Sequence, residues 1–204
     1  VNTDQYRSLN EVYEEAFKKN KGLTAYWHMG HTYSYDQVDE LSQQFASYIQ
    51  HHTPLKKGDR IILQMPNLVQ YVIALIGSHR AGLTVVNTNP LYTEREMKHQ
   101  FTDADVKAVI IAENFAANLQ KIIGDTEIKT VILTSIGEML GFPKKAIVNF
   151  VVRKVKRMVP KYELSNTVTF SEAIQQGKRF SLPNFKGNPD DVISLQYTGG
   201  TTGV

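Results

Sequence analysis

The residues best suited to chemistry lie together in the run Leu195-Gln196-Tyr197-Thr198-Gly199-Gly200-Thr201-Thr202-Gly203-Val204. An apolar, strand-like stretch from Val192 to Gln196 runs directly into three glycines and three threonines. Glycine lets successive backbone N–H groups turn toward a single anion, because no Cβ blocks the approach. Threonine hydroxyls add further donors to phosphate oxygens. A strand that opens into such a loop is suited to holding a polyphosphate. On composition alone the same run also fits a Gly/Thr linker. It is not a Walker A loop, since no Gly-Lys-Ser/Thr is present, and it lacks the spaced glycines of a dinucleotide fold.

The elements needed to position this loop can be read upstream. Apolar spacing predicts a helix over Leu9–Lys19 with Ser8 as its cap, then a hairpin around Met29-Gly30 that places Trp27 in the core. Ser34 with Gln37 forms a capping box for a helix to about Gln50, and Thr93 with Glu96 forms another for a helix to about Thr102. Strands are expected at Arg60–Gln64, Leu83–Val86, Val106–Ala112 and Thr130–Thr134, with helices at Leu68–Arg80, Phe115–Ile123 and Ser171–Gln176. Strands and helices alternate, and the middle strands are apolar on successive residues, as strands buried on both faces must be. The fold class is therefore α/β, a doubly wound, mostly parallel sheet flanked by helices. Residues 1–191 are expected to form this α/β unit, with 192–204 beginning the next.

The bulk numbers are compatible with a packed core: 204 residues, 42% hydrophobic and 21% charged. The absence of cysteine excludes disulfides, a thiol nucleophile and zinc–thiolate sites. No charged-then-apolar leader and no apolar run long enough for a membrane span is present, so a cytoplasmic location is expected. His28, His31, His51 and His52 lack a converging third ligand and read as loop residues, so no metal site is expected. His79 and His99 read as unremarkable helix residues. No Gly-x-Ser-x-Gly elbow supports a hydrolase.

The net charge of +3 arises from one segment, since Lys144–Lys161 holds seven basic residues and no acidic one. On a helix over Lys144–Val159 at about 100° per residue, Ile147, Val148, Val151, Val152, Val155, Met158 and Val159 share one side. Lys145, Arg153, Lys156 and Arg157 share the other, with Lys154 at the border. Such a helix can lie peripherally on an anionic membrane surface, or pack its valines on the sheet and leave a solvated basic face. No aromatic platform or base-reading motif accompanies it, which argues against nucleic acid.

The stretch Tyr197–Gly203 closely resembles the phosphate loop of the adenylate-forming superfamily, Tyr-Thr-Ser-Gly-Thr-Thr-Gly, with Gly199 in place of the serine. Upstream, Leu55-Lys56-Lys57-Gly58-Asp59-Arg60-Ile61, Met65-Pro66-Asn67, Arg80-Ala81-Gly82 and Val86–Thr93 are similar in order and wording to blocks of bacterial long-chain fatty acid–CoA ligases. So are Val148–Val152 and Val159–Tyr162. By their positions the Lys56–Arg80 blocks read as fold-building turns rather than substrate contacts.

The resemblance implies ligation of a fatty acid to CoA through an acyl adenylate, with ATP and Mg²⁺. It implies that Thr198, Gly199, Gly200, Thr201, Thr202 and Gly203 hold phosphates while Tyr197 packs the loop's entry. It further implies that the acyl pocket, adenine pocket and catalytic lid lie beyond Val204, so that these residues alone are inactive, and that a homodimer forms through N-terminal regions. An aryl or shorter-acyl ligase is the alternative substrate reading, and a non-catalytic membrane-surface module the alternative from another class.

Overall fold

The computed structural model describes residues 5–181, 185 and 187–197. Its first elements are α1 (Leu9–Lys19), the hairpin β1 (Thr24–His28) and β2 (His31–Ser34), and α2 (Tyr35–His52). Then follow β3 (Arg60–Gln64), α3 (Val69–Arg80), β4 (Thr84–Asn87), α4 (Glu94–Asp103), β5 (Val106–Ala112), α5 (Ala116–Ile122) and β6 (Thr130–Thr134). The chain closes with α6 (Lys144–Phe150), β7 (Thr167–Thr169), α7 (Phe170–Gly177) and β8 (Ser194–Gln196).

Six strands form one sheet in the order β7-β6-β5-β3-β4-β8, and every pairing in it is parallel. The doubly wound architecture read from the apolar runs is the one observed. Successive residues of the central strands face opposite ways. Ile61, Leu63, Ala108 and Ile110 join a cluster with Phe45, Ile73 and Phe170 from α2, α3 and α7. Ile62, Val109 and Ile111 join a second cluster with Met97, Phe101 and Leu119 from α4 and α5. Progress along the sheet reverses after β4 and again after β7, and a right-handed crossover then requires the helix to change face. The strand β8 pairs with β4 in this same sheet, so the expected division at residue 191 does not coincide with a sheet boundary.

Local signals account for the starts of α2, α4 and α7. Ser34 and Gln37 close a reciprocal capping box on α2, Thr93 and Glu96 close one on α4, and Thr169 with Glu172 closes a third on α7. At α1 the expected cap is absent: Ser8 makes no capping bond, and Glu11 instead accepts from the Arg7 amide. The glycines of the upstream blocks are turn-formers. Gly58 and Gly82 have φ of 84° and 80°, and the Gly58 amide donates to the Gly82 carbonyl at 2.8 Å. Arg80 is buried and pairs with Asp39 at 2.6 Å, which ties α3 to α2.

Two expectations about the core are corrected. Trp27 is 67% exposed, because the β1–β2 hairpin stands apart from the main sheet and one of its faces has no layer above it. The basic segment is α-helical only to Phe150, continues as a π-helical turn over Val151–Val155, and leaves the helix at Arg157 (φ 50°). A π turn takes more residues per turn, so residues beyond Val151 rotate away from the positions a uniform α-helix assigns them.

Helices α7 and α2 approach closely at Gly177, where an added Cβ would stand 1.8 Å from the Gln44 carbonyl oxygen of α2. Main chain, not a flexible tip, would have to move. Gly177→Ala is therefore expected to destabilise the chain at or above the upper end of the ~1–3 kcal/mol usual for overpacking. Gly124→Ala, with nothing within 4 Å, should stay within about 0.5 kcal/mol. Urea unfolding midpoints test this, and equal midpoints for the two variants would refute the packing account.

Candidate nucleotide-binding site and the basic segment

In a parallel α/β sheet the C-terminal ends of the strands border the ligand crevice. The strand β8 ends there at Gln196, and Tyr197 begins the loop. Thr198, Gly199, Gly200, Thr201, Thr202 and Gly203 lie outside the described residues. The described residues form the frame that precedes them in the chain.

That frame is polar. Tyr71 Oη donates to Asn87 Oδ1 at 2.8 Å, and Asn87 Nδ2 donates to Gln196 Oε1 at 3.2 Å, so α3, β4 and β8 are linked side by side. Thr88 donates to Gln100 Oε1 at 2.8 Å, and Gln100 Nε2 donates to the Asn87 carbonyl at 3.0 Å, which holds α4 to the end of β4. Tyr197 packs against the α4/α5 side of the core and donates its hydroxyl to Asp103. Burial, then the Asp103 bond and charge, push the Tyr197 phenol up to about 12, so it remains a protonated donor. Tyr197 therefore packs against the core at the C-terminal end of β8.

Further along the same edge, Glu138 is buried and accepts from Thr134 Oγ1, Ser135 N, and both the backbone N and Oγ of Ser171. Four donors satisfy this carboxylate and lock the end of β6 to the start of α7. Motif reading does not find Tyr71, Gln100, Asp103 or Glu138, and it includes Asn87 only as part of the Val86–Thr93 block, with no role assigned. Their only sequence signal is a polar residue at or near the end of an apolar strand or on an apolar helix.

The basic segment is divided by the structure. Arg153 forms a bidentate pair with Glu113, at 2.9 Å from Nε to Oε1 and 2.5 Å from Nη2 to Oε2. The Glu113 side chain is 5% exposed, and this partner raises the Arg153 pKa further. Arg153 therefore anchors the segment to the start of α5. Lys145, Lys154, Lys156 and Arg157 are exposed and make no ion pair among the described residues. The apolar side is also incompletely covered. Val148, Val151, Val152 and Val159 are half-buried, while Ile147, Phe150, Val155 and Met158 are exposed, and Phe142 is 90% exposed. Among the described residues no cluster of three or more His, Asp or Glu could hold a metal ion, and no helix is long and apolar enough to cross a membrane.

Comparison with known proteins agrees with this frame. The AMP-binding enzyme family model matches residues 13–204. A long-chain-fatty-acid–CoA ligase of Salmonella typhimurium is 46% identical over all 204 residues, and the chain spans 36% of that relative's length. Among solved structures, a long-chain-fatty-acid-CoA ligase from Archaeoglobus fulgidus aligns over 96% of this chain and 35% of its own, with TM-score 0.71 and 22% identity. The A-PCP didomain of a carboxylic acid reductase from Segniliparus rugosus, in complex with AMP, aligns over 98% of this chain and 31% of its own, with TM-score 0.76 and 19% identity. Those two likenesses are of fold. With a family model covering nearly its whole length, the chain belongs to the AMP-binding enzyme family.

Proposed function

We propose that this chain is the N-terminal part of a cytoplasmic long-chain fatty acid–CoA ligase, in which the run after β8 holds the phosphates of ATP. The observation that carries this reading is the edge strand β8, which ends at Gln196 on the C-terminal edge of a parallel sheet, two positions before the Thr198–Gly203 run in sequence, in a chain 46% identical to such ligases. A carboxylate is a poor electrophile, and adenylation gives it a leaving group. Charge then grows on the phosphates as pyrophosphate departs, and oriented N–H and O–H donors stabilise it. Thr198, Thr201 and Thr202 would supply hydroxyls, and Gly199, Gly200 and Gly203 backbone amides. Mg²⁺ would neutralise charge on the same phosphates, and CoA would accept the acyl group. A homodimer of the complete enzyme belongs to the same proposal.

In the complete ligase, Thr201→Val and Thr202→Val are each expected to lower kcat/KM for ATP by about 100- to 1,000-fold, the scale of one lost donor to a developing charge. Circular dichroism should be unchanged. Residues 1–204 alone should form no acyl-CoA. Unaltered ATP kinetics in both variants, turnover by the isolated segment, or faster use of aryl than of C16 acids by the complete enzyme would each overturn the part of the reading it addresses.

We also infer that the basic segment is a peripheral contact with anionic lipid, through Lys145, Lys154, Lys156 and Arg157. Exposed apolar side chains beside unpaired cations support this, since an interfacial element needs both. Each cation near an anionic surface contributes about 1 kcal/mol, so Lys154→Glu/Lys156→Glu should reduce low-salt sedimentation with phosphatidylglycerol vesicles at least ~20-fold. Sedimentation unaffected by that reversal would remove the idea.

A further inference from the structure

Apolar burial does little to hold β8. Its three residues are exposed, half-buried and exposed, and the preceding Val192 is 62% exposed. Hydrogen bonds from neighbouring elements do the holding. Thr84 Oγ1 donates to the Val192 carbonyl at 2.6 Å, and the Val85 amide donates to the Ile193 carbonyl at 2.9 Å. The Ile193 carbonyl takes a second donor, His79 Nε2 of α3, at 3.1 Å.

His79 is buried, and its environment assigns its protons. A carbonyl oxygen only accepts, so Nε2 carries hydrogen. Desolvation lowers the pKa of this imidazole and favours the neutral ring, whose Nδ1 is then a lone-pair acceptor. Nδ1 faces the Tyr13 hydroxyl of α1 at 2.9 Å, and the two rings are parallel within 6°. Burial pushes the Tyr13 phenol up to about 12, so it stays protonated and donates. A relay of two directed hydrogen bonds thus runs from α1 through α3 to the carbonyl just before β8. Both members are missed by the sequence, where His79 reads as an ordinary helix residue.

We propose that Tyr13 and His79 form a positioning clamp that sets the approach of β8 and, through it, the placement of the loop after Tyr197. The clamp's effect on nucleotide use rests on the phosphate-loop reading above, while its effect on the strand does not. A strand with little buried apolar surface opens locally at low cost, so removing one directed bond should be felt there first.

Native-state hydrogen exchange on the 204-residue chain tests this. In His79→Leu, the β8 amides bonded to β4 should exchange about five- to tenfold faster, with β3 and β5 amides unchanged. His79→Gln, whose side-chain amide can still donate to the Ile193 carbonyl, should recover most of the protection. Tyr13→Phe, which keeps the ring and loses only the hydroxyl, should give an intermediate change and covers the case in which His79→Leu does not fold. Unchanged β8 exchange in Tyr13→Phe and His79→Leu, equal acceleration of all strands, or no advantage of Gln over Leu would overturn the clamp. In the complete protein, His79→Leu should raise KM for ATP more than it lowers kcat. A parent protein that does not use ATP at all would defeat the phosphate-loop reading and leave the exchange result standing.

Discussion

The parallel pairing of β3 with β5, from Arg60 beside Val106 to Gln64 beside Ile111, is the constraint from which the rest of the molecule follows. Both strands are buried on both faces, so each of their apolar side chains belongs to one of two apolar clusters. A slip of one residue would send every one of them to the wrong layer. Fixing that register fixes where β4 and β6 add on either side, and hence which edge is left for β8. The helices have no freedom of face once the strand order is set, because right-handed crossovers assign α3 and α7 to one side and α4 and α5 to the other.

Rigidity therefore declines from the centre of the sheet to the edge where chemistry is proposed. The strand β3 is held by apolar burial, β4 by burial plus side-chain bonds through Asn87, and β8 almost entirely by directed polar contacts. A phosphate-binding loop benefits from this arrangement. In the proposed function its backbone donors must be placed accurately, yet β8 lies at the sheet edge with little apolar cover. Polar pins from α3, β4 and α4 supply the accuracy without closing the edge.

Much of this was legible because the relevant signals are local. Capping boxes at Ser34/Gln37 and Thr93/Glu96 declare helix starts within four residues, and nearly continuous apolar runs such as Val106–Ala112 declare two-sided burial. The phosphate-loop motif is legible as a run of residue types, but its frame is not. Tyr71, Asn87 and Gln196 come together only through strand order, and Tyr13 meets His79 across 66 positions of sequence. The short strand β7 was missed because Thr167–Thr169 is too brief for alternation to register. Trp27 was misplaced because large aromatic size signals burial only if a layer exists to bury it. The basic segment was misread beyond Val151 because helical-wheel reasoning assumes one pitch, and a π turn violates that assumption.

That π turn has a consequence for how the segment tolerates length change. Within Val151–Val155 the helix accommodates one residue more than an α turn would, while Arg153 keeps its bidentate hold on the buried Glu113. The turn acts as slack in the chain, holding one extra residue without disturbing the sheet. Deleting a residue there would return the segment to α pitch and turn a different set of cations outward, while every strand stays in register.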